Sequence, residues 1–150
     1  MRQVKAAAAV LVALSAIYTA HAQGSKTFKV RLAPVPIDLT MQATVAGTGS
    51  ATAVLAGSKL TITGTFDGLK SPATIAQLHR GSTMGVRGPS IGDLTVTKGT
   101  GGSGTIAGSL ELTGAQLADL EKKHLYVQLH SEKAPEGNLW GWLVPQESRR

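Results

Sequence analysis

From Lys59 to Phe66 the side chains alternate without a break. Leu60, Ile62, Gly64 and Phe66 fall on one face, and Lys59, Thr61, Thr63 and Thr65 on the other. Successive residues of a strand point to opposite sides of a sheet, so this period of two specifies a half-buried strand. An amphipathic helix would repeat its apolar positions every three or four residues. The same pattern returns along the chain. Residues 27–32 alternate and should stop near Ala33, because Pro34 and Pro36 have no N–H to continue a ladder. Residues 51–55 read as a strand joined to 59–66 by a tight turn at Gly57-Ser58, which makes a hairpin. Residues 73–79, 93–97, 105–112, 125–130 and 139–144 are further strand candidates.

Between these segments lie breakers. Residues 80–92 contain Gly81, Gly85, Gly88, Pro89 and Gly92 and predict a long irregular loop, while 99–104 is a Gly-rich turn. Pro135-Glu136-Gly137 is expected to turn the chain between the last two strands. One helix is predicted, over 113–122, with Thr113 as N-cap, Gln116 completing a capping box and Leu117 and Leu120 facing inward. Many short strands with one connecting helix predict an all-β fold. The expected architecture is a Greek-key β-sandwich or barrel, immunoglobulin-like or superoxide-dismutase-like, and not a set of alternating βαβ units.

The N-terminus reads as an export signal. Arg2 and Lys5 precede a run of small and apolar residues from Ala6 to Ile17, and Ala20-His21-Ala22 fits the small-x-small cleavage rule. Residues 1–22 are therefore expected to be a signal peptide, with one domain over 23–150. The apolar run is shorter than the ~20 residues a membrane helix needs. Cleavage removes two of the 15 Lys+Arg, leaving 13 against nine Asp+Glu, a net charge of +4. That excess is scattered apart from Arg149-Arg150, and no basic stripe or aromatic platform for nucleic acid is present. The chain has no cysteine, which excludes thiol catalysis, disulfides and Cys-based metal sites. Together these features predict a periplasmic or secreted protein.

Two motifs are matches in spelling only. Gly88-Pro89-Ser90-Ile91-Gly92 reads G-x-S-x-G, but a nucleophile elbow needs a strand before the serine and a helix after it. The glycines of 99–104 read G-x-G-x-x-G, yet they lead into a predicted strand and not into a phosphate-binding helix. Asp67, Asp93, Asp119 and Glu121 are not spaced as an acid–base pair. An enzyme is not expected.

The chain resembles the CHRD (chordin-type) domain family. Phe66-Asp67-Gly68-Leu69, Ala76-Gln77-Leu78-His79-Arg80-Gly81 and Gly88-Pro89 resemble its first half. Leu112-Thr113, Leu125-Tyr126-Val127-Gln128-Leu129-His130-Ser131 and Pro135-Glu136-Gly137-Asn138-Leu139-Trp140-Gly141 resemble its second half. The likeness spans residues 27–144. Three positions depart from the family pattern: Gln77 replaces the first histidine of a His-x-His, Gln128 replaces an Asn, and Asn138-Leu139-Trp140-Gly141 replaces Glu-Ile-Arg-Gly. The resemblance implies a β fold, an exported location and a role in chordin-type extracellular proteins or as a solitary bacterial domain.

Alternation also frames the site. If Leu125, Val127, Leu129, Leu139 and Leu143 form the core, then Tyr126, Gln128, Trp140 and Trp142 share the opposite face. Two Trp and a Tyr on a polar face are the composition of a protein–protein hot spot, unless a loop such as 80–92 covers them. The favoured reading is a non-catalytic exported binding module without cofactor. Its partner would be a protein, such as the catalytic part of a membrane-bound quinoprotein–cytochrome dehydrogenase to which it is an accessory subunit. The alternative is a metal-binding or redox protein in which His79 and His130 converge on copper or zinc. Two histidines fall short of the three or four ligands such sites use, which favours a hydrogen-bonded polar patch. A matrix or adhesion module of the chordin kind is a third reading, disfavoured by the absence of cysteine and of a tandem second domain.

Overall fold

A computed structural model describes residues 24–146. The expected export signal over 1–22 lies outside them. The strands are β1 (Lys26–Pro34), β2 (Thr48–Ala56), β3 (Lys59–Asp67), β4 (Ala73–Arg80), β5 (Ser90–Lys98), β6 (Gly104–Glu111), β7 (Leu125–Ser131), β8 (Ala134–Trp142) and the two-residue β9 (Val144–Pro145). The helix α1 (Gly114–Glu121) joins β6 to β7. Among the described residues no helix is long and apolar enough to cross a membrane.

Eight strands close into an antiparallel barrel in the order β1-β2-β3-β6-β5-β4-β7-β8, and β8 returns to β1. β9 adds a short ninth strand against β1. Strands β4, β5 and β6 follow one another by hairpins while β3 lies beside β6, which is a Greek key. Two strands turn the corners. β1 pairs with β2 through Leu32 and then with β8 through Ala33 and Pro34. β5 pairs with β4 up to Leu94 and with β6 from Thr95 onward. Each corner strand thus serves two sheets, and the barrel has the flattened form of a sandwich.

The alternation seen in sequence decides what fills it. Phe28, Val30, Leu32, Leu60, Ile62, Phe66, Leu78, Val127, Leu129 and Leu139 all point inward and are buried. Thr61, Thr63 and Thr65 lie outward and remain in contact with solvent. The expected capping box forms: Gln116 N donates to Thr113 Oγ1 and Thr113 N donates to Gln116 Oε1.

One boundary differs from expectation. The β7–β8 connection turns at Glu132-Lys133, and Pro135-Glu136-Gly137 lies within β8 as a wide bulge. Between the pairs Leu129–Leu139 and Ser131–Ala134, β7 advances two residues and β8 advances five. Pro and Gly read as a turn in sequence, yet they equally suit a bulge, where a ladder donor is missing anyway. The tighter turn is held from outside, since Lys133 N donates to Ser71 Oγ and Glu132 N to the Pro72 carbonyl.

Asp119 on α1 is buried and pairs with Arg80 at the end of β4, so the helix is tied to the barrel by charge as well as by Leu120. The Arg80 hydrogen bond holds the Asp119 carboxyl below its usual pKa. A carboxyl depressed in the folded state stabilises it above the ordinary value, and that contribution vanishes as pH falls through the lower folded value. Asp119→Asn is therefore expected to lower the melting temperature at about pH 7, with the difference from wild type shrinking as pH falls below the ordinary carboxyl range. An unchanged difference over that fall in pH would show that the ion pair contributes nothing.

Candidate functional site

Strand β7 alternates as expected, with Leu125, Val127 and Leu129 in the core and Tyr126, Gln128 and His130 outward. The outward set is nevertheless buried too: Tyr126 is 1% exposed, Gln128 4% and His130 8%. Two loops cover this face. Residues 81–89 lie over Tyr126 and His79, and residues 35–47 lie over Trp140.

The first loop is pinned at one peptide. The Tyr126 hydroxyl accepts from Gly88 N at 3.0 Å and donates to the Gly88 carbonyl at 3.2 Å. That carbonyl also accepts from His79 Nδ1 at 2.9 Å. A Cβ at Gly88 would collide with the Arg80 carbonyl oxygen, so only glycine lets the loop come this close. Arg87 reaches across and donates to the Glu136 carbonyl at 2.8 Å. The second loop is held by Asn138. Its backbone carbonyl accepts from Val35 N, its Oδ1 accepts from Ala46 N, and its Nδ2 donates to Ser131 Oγ. Val35 and Val45 then form a satellite cluster with Ala134, against which Met41 and Trp140 pack.

Between the loops the aromatic rings form one group. Tyr126 lies 4.5 Å from Trp142 and 5.6 Å from Trp140, and the two indoles meet edge to face at 5.6 Å. Such tilted pairs add about 0.5–1.5 kcal/mol each beyond the area they bury. His79 stacks on the other side of Tyr126 at 5.0 Å and stands 6.2 Å from His130.

Polar atoms here are only partly matched. His130 Nδ1 donates to the Pro135 carbonyl at 2.8 Å, which the bulge turns toward the ring. The Gln128 amide nitrogen donates to His130 Nε2 at 3.2 Å and to the Glu136 carbonyl at 3.4 Å. Gly137, with φ of 125°, makes room for that amide: a Cβ would lie 2.9 Å from its nitrogen. His79 Nε2 and Gln128 Oε1 are buried without a hydrogen-bond partner. Burial pushes the His79 imidazole below its usual pKa, against the Gly88 hydrogen bond that raises it, and the nearby His130 and Arg87 push the same way as burial. His79 is neutral at neutral pH.

Of the four residues expected to meet a partner, Trp140 and Trp142 retain partial exposure, whereas Tyr126 and Gln128 are buried beneath the loops. His79 and His130 do come together. Gln77 does not join them, because its amide donates to Asp93. His124 is elsewhere, 3.7 Å from Asp119. Among the described residues no three His, Asp or Glu side chains are grouped to hold a metal. The roles of Asn138, Arg87 and the 35–47 loop were not visible in the pattern. A signal did exist: residues 125–131 carry no Lys, Arg, Asp or Glu, which suits a strand covered on both faces.

The sequence matches the CHRD domain over residues 18–143, and the chain belongs to that family. CHRD domains are non-catalytic binding and interaction modules. No curated protein and no solved structure matches the chain.

Tyr126→Phe deletes the group that satisfies the Gly88 N–H and keeps the ring. It should cost about 1–3 kcal/mol in urea unfolding and blue-shifted tryptophan emission should move to the red as the loop loosens. A variant as stable as wild type would mean that the hydroxyl does not hold the loop.

Proposed function

We propose that this CHRD domain is an exported binding module that docks a protein partner through Trp140 and Trp142. The observation carrying this reading is the indole pair, partly exposed and held edge to face by a buried tyrosine. Large aromatics presented on a rigid base lose little entropy on binding, which is why Trp and Tyr dominate hot spots. Both loops carry exposed apolar side chains: Ile37 and Leu39 on one, Met84 and Val86 on the other. Leu39 is 85% exposed, far more than a side chain serving only its own fold needs. Isolated exposed apolar residues are ordinary, but four on the two loops that flank an indole pair form a candidate patch.

The proposed role is binding without catalysis. Asp67 accepts from the Gly68 N–H, Asp93 from Gln77, and Glu121 from Lys26, so these carboxylates serve local structure. The basic n-region and small-x-small site support export, and the partner we propose is a larger exported assembly. A membrane-bound quinoprotein–cytochrome dehydrogenase, with this chain as accessory subunit, is the instance that size and export suggest.

The test is affinity for the complex isolated from the native cell envelope with the tagged wild-type chain. Trp142→Ala and Trp140→Ala should each weaken binding by about 2 kcal/mol or more, roughly thirtyfold. Since both indoles also pack against loops, Leu39→Ser provides a variant whose fold is not at stake, and it should weaken binding as well. Undiminished binding by all three folded variants would place the interface elsewhere.

A further inference from the structure

On the outer face of β4 and β7, two imidazoles have the same hydrogen-bond arrangement. A carbonyl oxygen can only accept, so the Gly88 and Pro135 carbonyls fix the proton on Nδ1 of His79 and of His130. Nε2 is thus left as the acceptor nitrogen of each ring, taken up by the Gln128 amide at His130 and unpartnered at His79. A ring N–H donated to a backbone carbonyl is also the usual support behind a metal-binding histidine. His79 Nε2 has no partner, and neither has Gln128 Oε1, and both residues are more than nine-tenths buried. Each of these orphans is an acceptor, so what the cluster lacks is positive charge or a hydrogen donor.

Distance narrows the choice. An imidazole bound through Nε2 has its ring centre about 3.2 Å from a metal whose bond to nitrogen is about 2.0–2.1 Å. Two rings on one ion thus stand at most about 6.4 Å apart, when they oppose each other, and about 5.2 Å apart at a tetrahedral angle. The centres of His79 and His130 are 6.2 Å apart. That spacing is compatible with two nitrogens on opposite sides of one ion and is wider than a tetrahedral zinc site sets. The Gln128 amide on His130 is held by bonds of 3.2 and 3.4 Å, at and beyond the long end of the normal range, so little is lost when it gives way.

We propose that His79 and His130 bind one cuprous ion between their Nε2 atoms, with the Gln128 carbonyl as a weak third donor. Imidazole suits copper, and the monovalent ion accepts two nearly opposed nitrogens. The site lies beneath the loop that edges the docking face and does not rest on the docking proposal.

Anaerobic titration of the folded full chain with copper(I), against a chromogenic copper(I) chelator, reads the site directly. One ion per chain is expected, and His79→Gln and His130→Gln should each lower affinity at least about tenfold, while His124→Gln leaves it unchanged. Because buried substitutions can unfold a loop, the wild-type chain supplies a second measurement. In nitrogen-15 spectra the Nε2 resonances of His79 and His130 should move on adding copper(I), with zinc(II) moving neither at the same concentration. No 1:1 binding, a shift confined to other histidines, binding that survives both substitutions, or tighter binding of zinc would each overturn the proposal.

Discussion

The Tyr126 hydroxyl meets both the N–H and the carbonyl of Gly88, and that contact decides what the outer face of β7 can be. A barrel strand normally has a wet side, and one polar residue in two then faces water. Here all seven residues of β7 are buried. Placing loop 81–89 over the strand brings backbone amides out of water, and each needs a partner. The tyrosine supplies one group that is both donor and acceptor, so a single side chain satisfies both halves of a peptide. Asn138 does the corresponding work for loop 35–47 with two of its polar atoms, while its Nδ2 donates to Ser131 Oγ on β7.

The barrel beneath makes this second layer possible. Because β1 and β5 each pair with two sheets, the closed ladder leaves β4, β7 and β8 without a free edge, and their outer side chains keep fixed spacing. The bulge at Pro135–Gly137 then departs from the ladder where it is useful. It turns the Pro135 and Glu136 carbonyls toward His130 and Gln128, and Gly137 opens space for the amide. The outer layer has an apolar half, where Tyr126 supports two indoles, and a polar half, where His79, Gln128 and His130 leave two acceptors unmatched. The proposed docking uses the first half, and the proposed cation site uses the second.

Much of this was legible in residues. Alternation in 59–66 and 125–130 identified the faces correctly, since Leu60, Ile62, Val127 and Leu129 fill the barrel. Thr113 and Gln116 marked the start of the helix because a capping box is a local device that depends on nothing distant. Meeting of His79 and His130 followed from the same parity argument once β4 and β7 lay side by side. What was hidden is what covers a face. Period two tells which residues point outward, but the burial of Tyr126 and Gln128 depends on loops whose path is set by contacts 38 and 49 residues away, Gly88 to Tyr126 and Arg87 to Glu136. The Pro135–Gly137 bulge was misplaced as a turn for the same reason. Local residue types admit both, and the register of the partner strand decides.

Amide hydrogen exchange at Gly88 tests the central claim, that the outer face of β7 is a buried layer closed by a loop fixed through Tyr126. Its N–H lies in a loop and would exchange freely there without a protected partner. The double burial predicts that it exchanges as slowly as the ladder amides of β4 and β7, with an opening free energy near that of global unfolding. Exchange at the rate of an open loop would contradict the account, because Tyr126 and His79 would then face water.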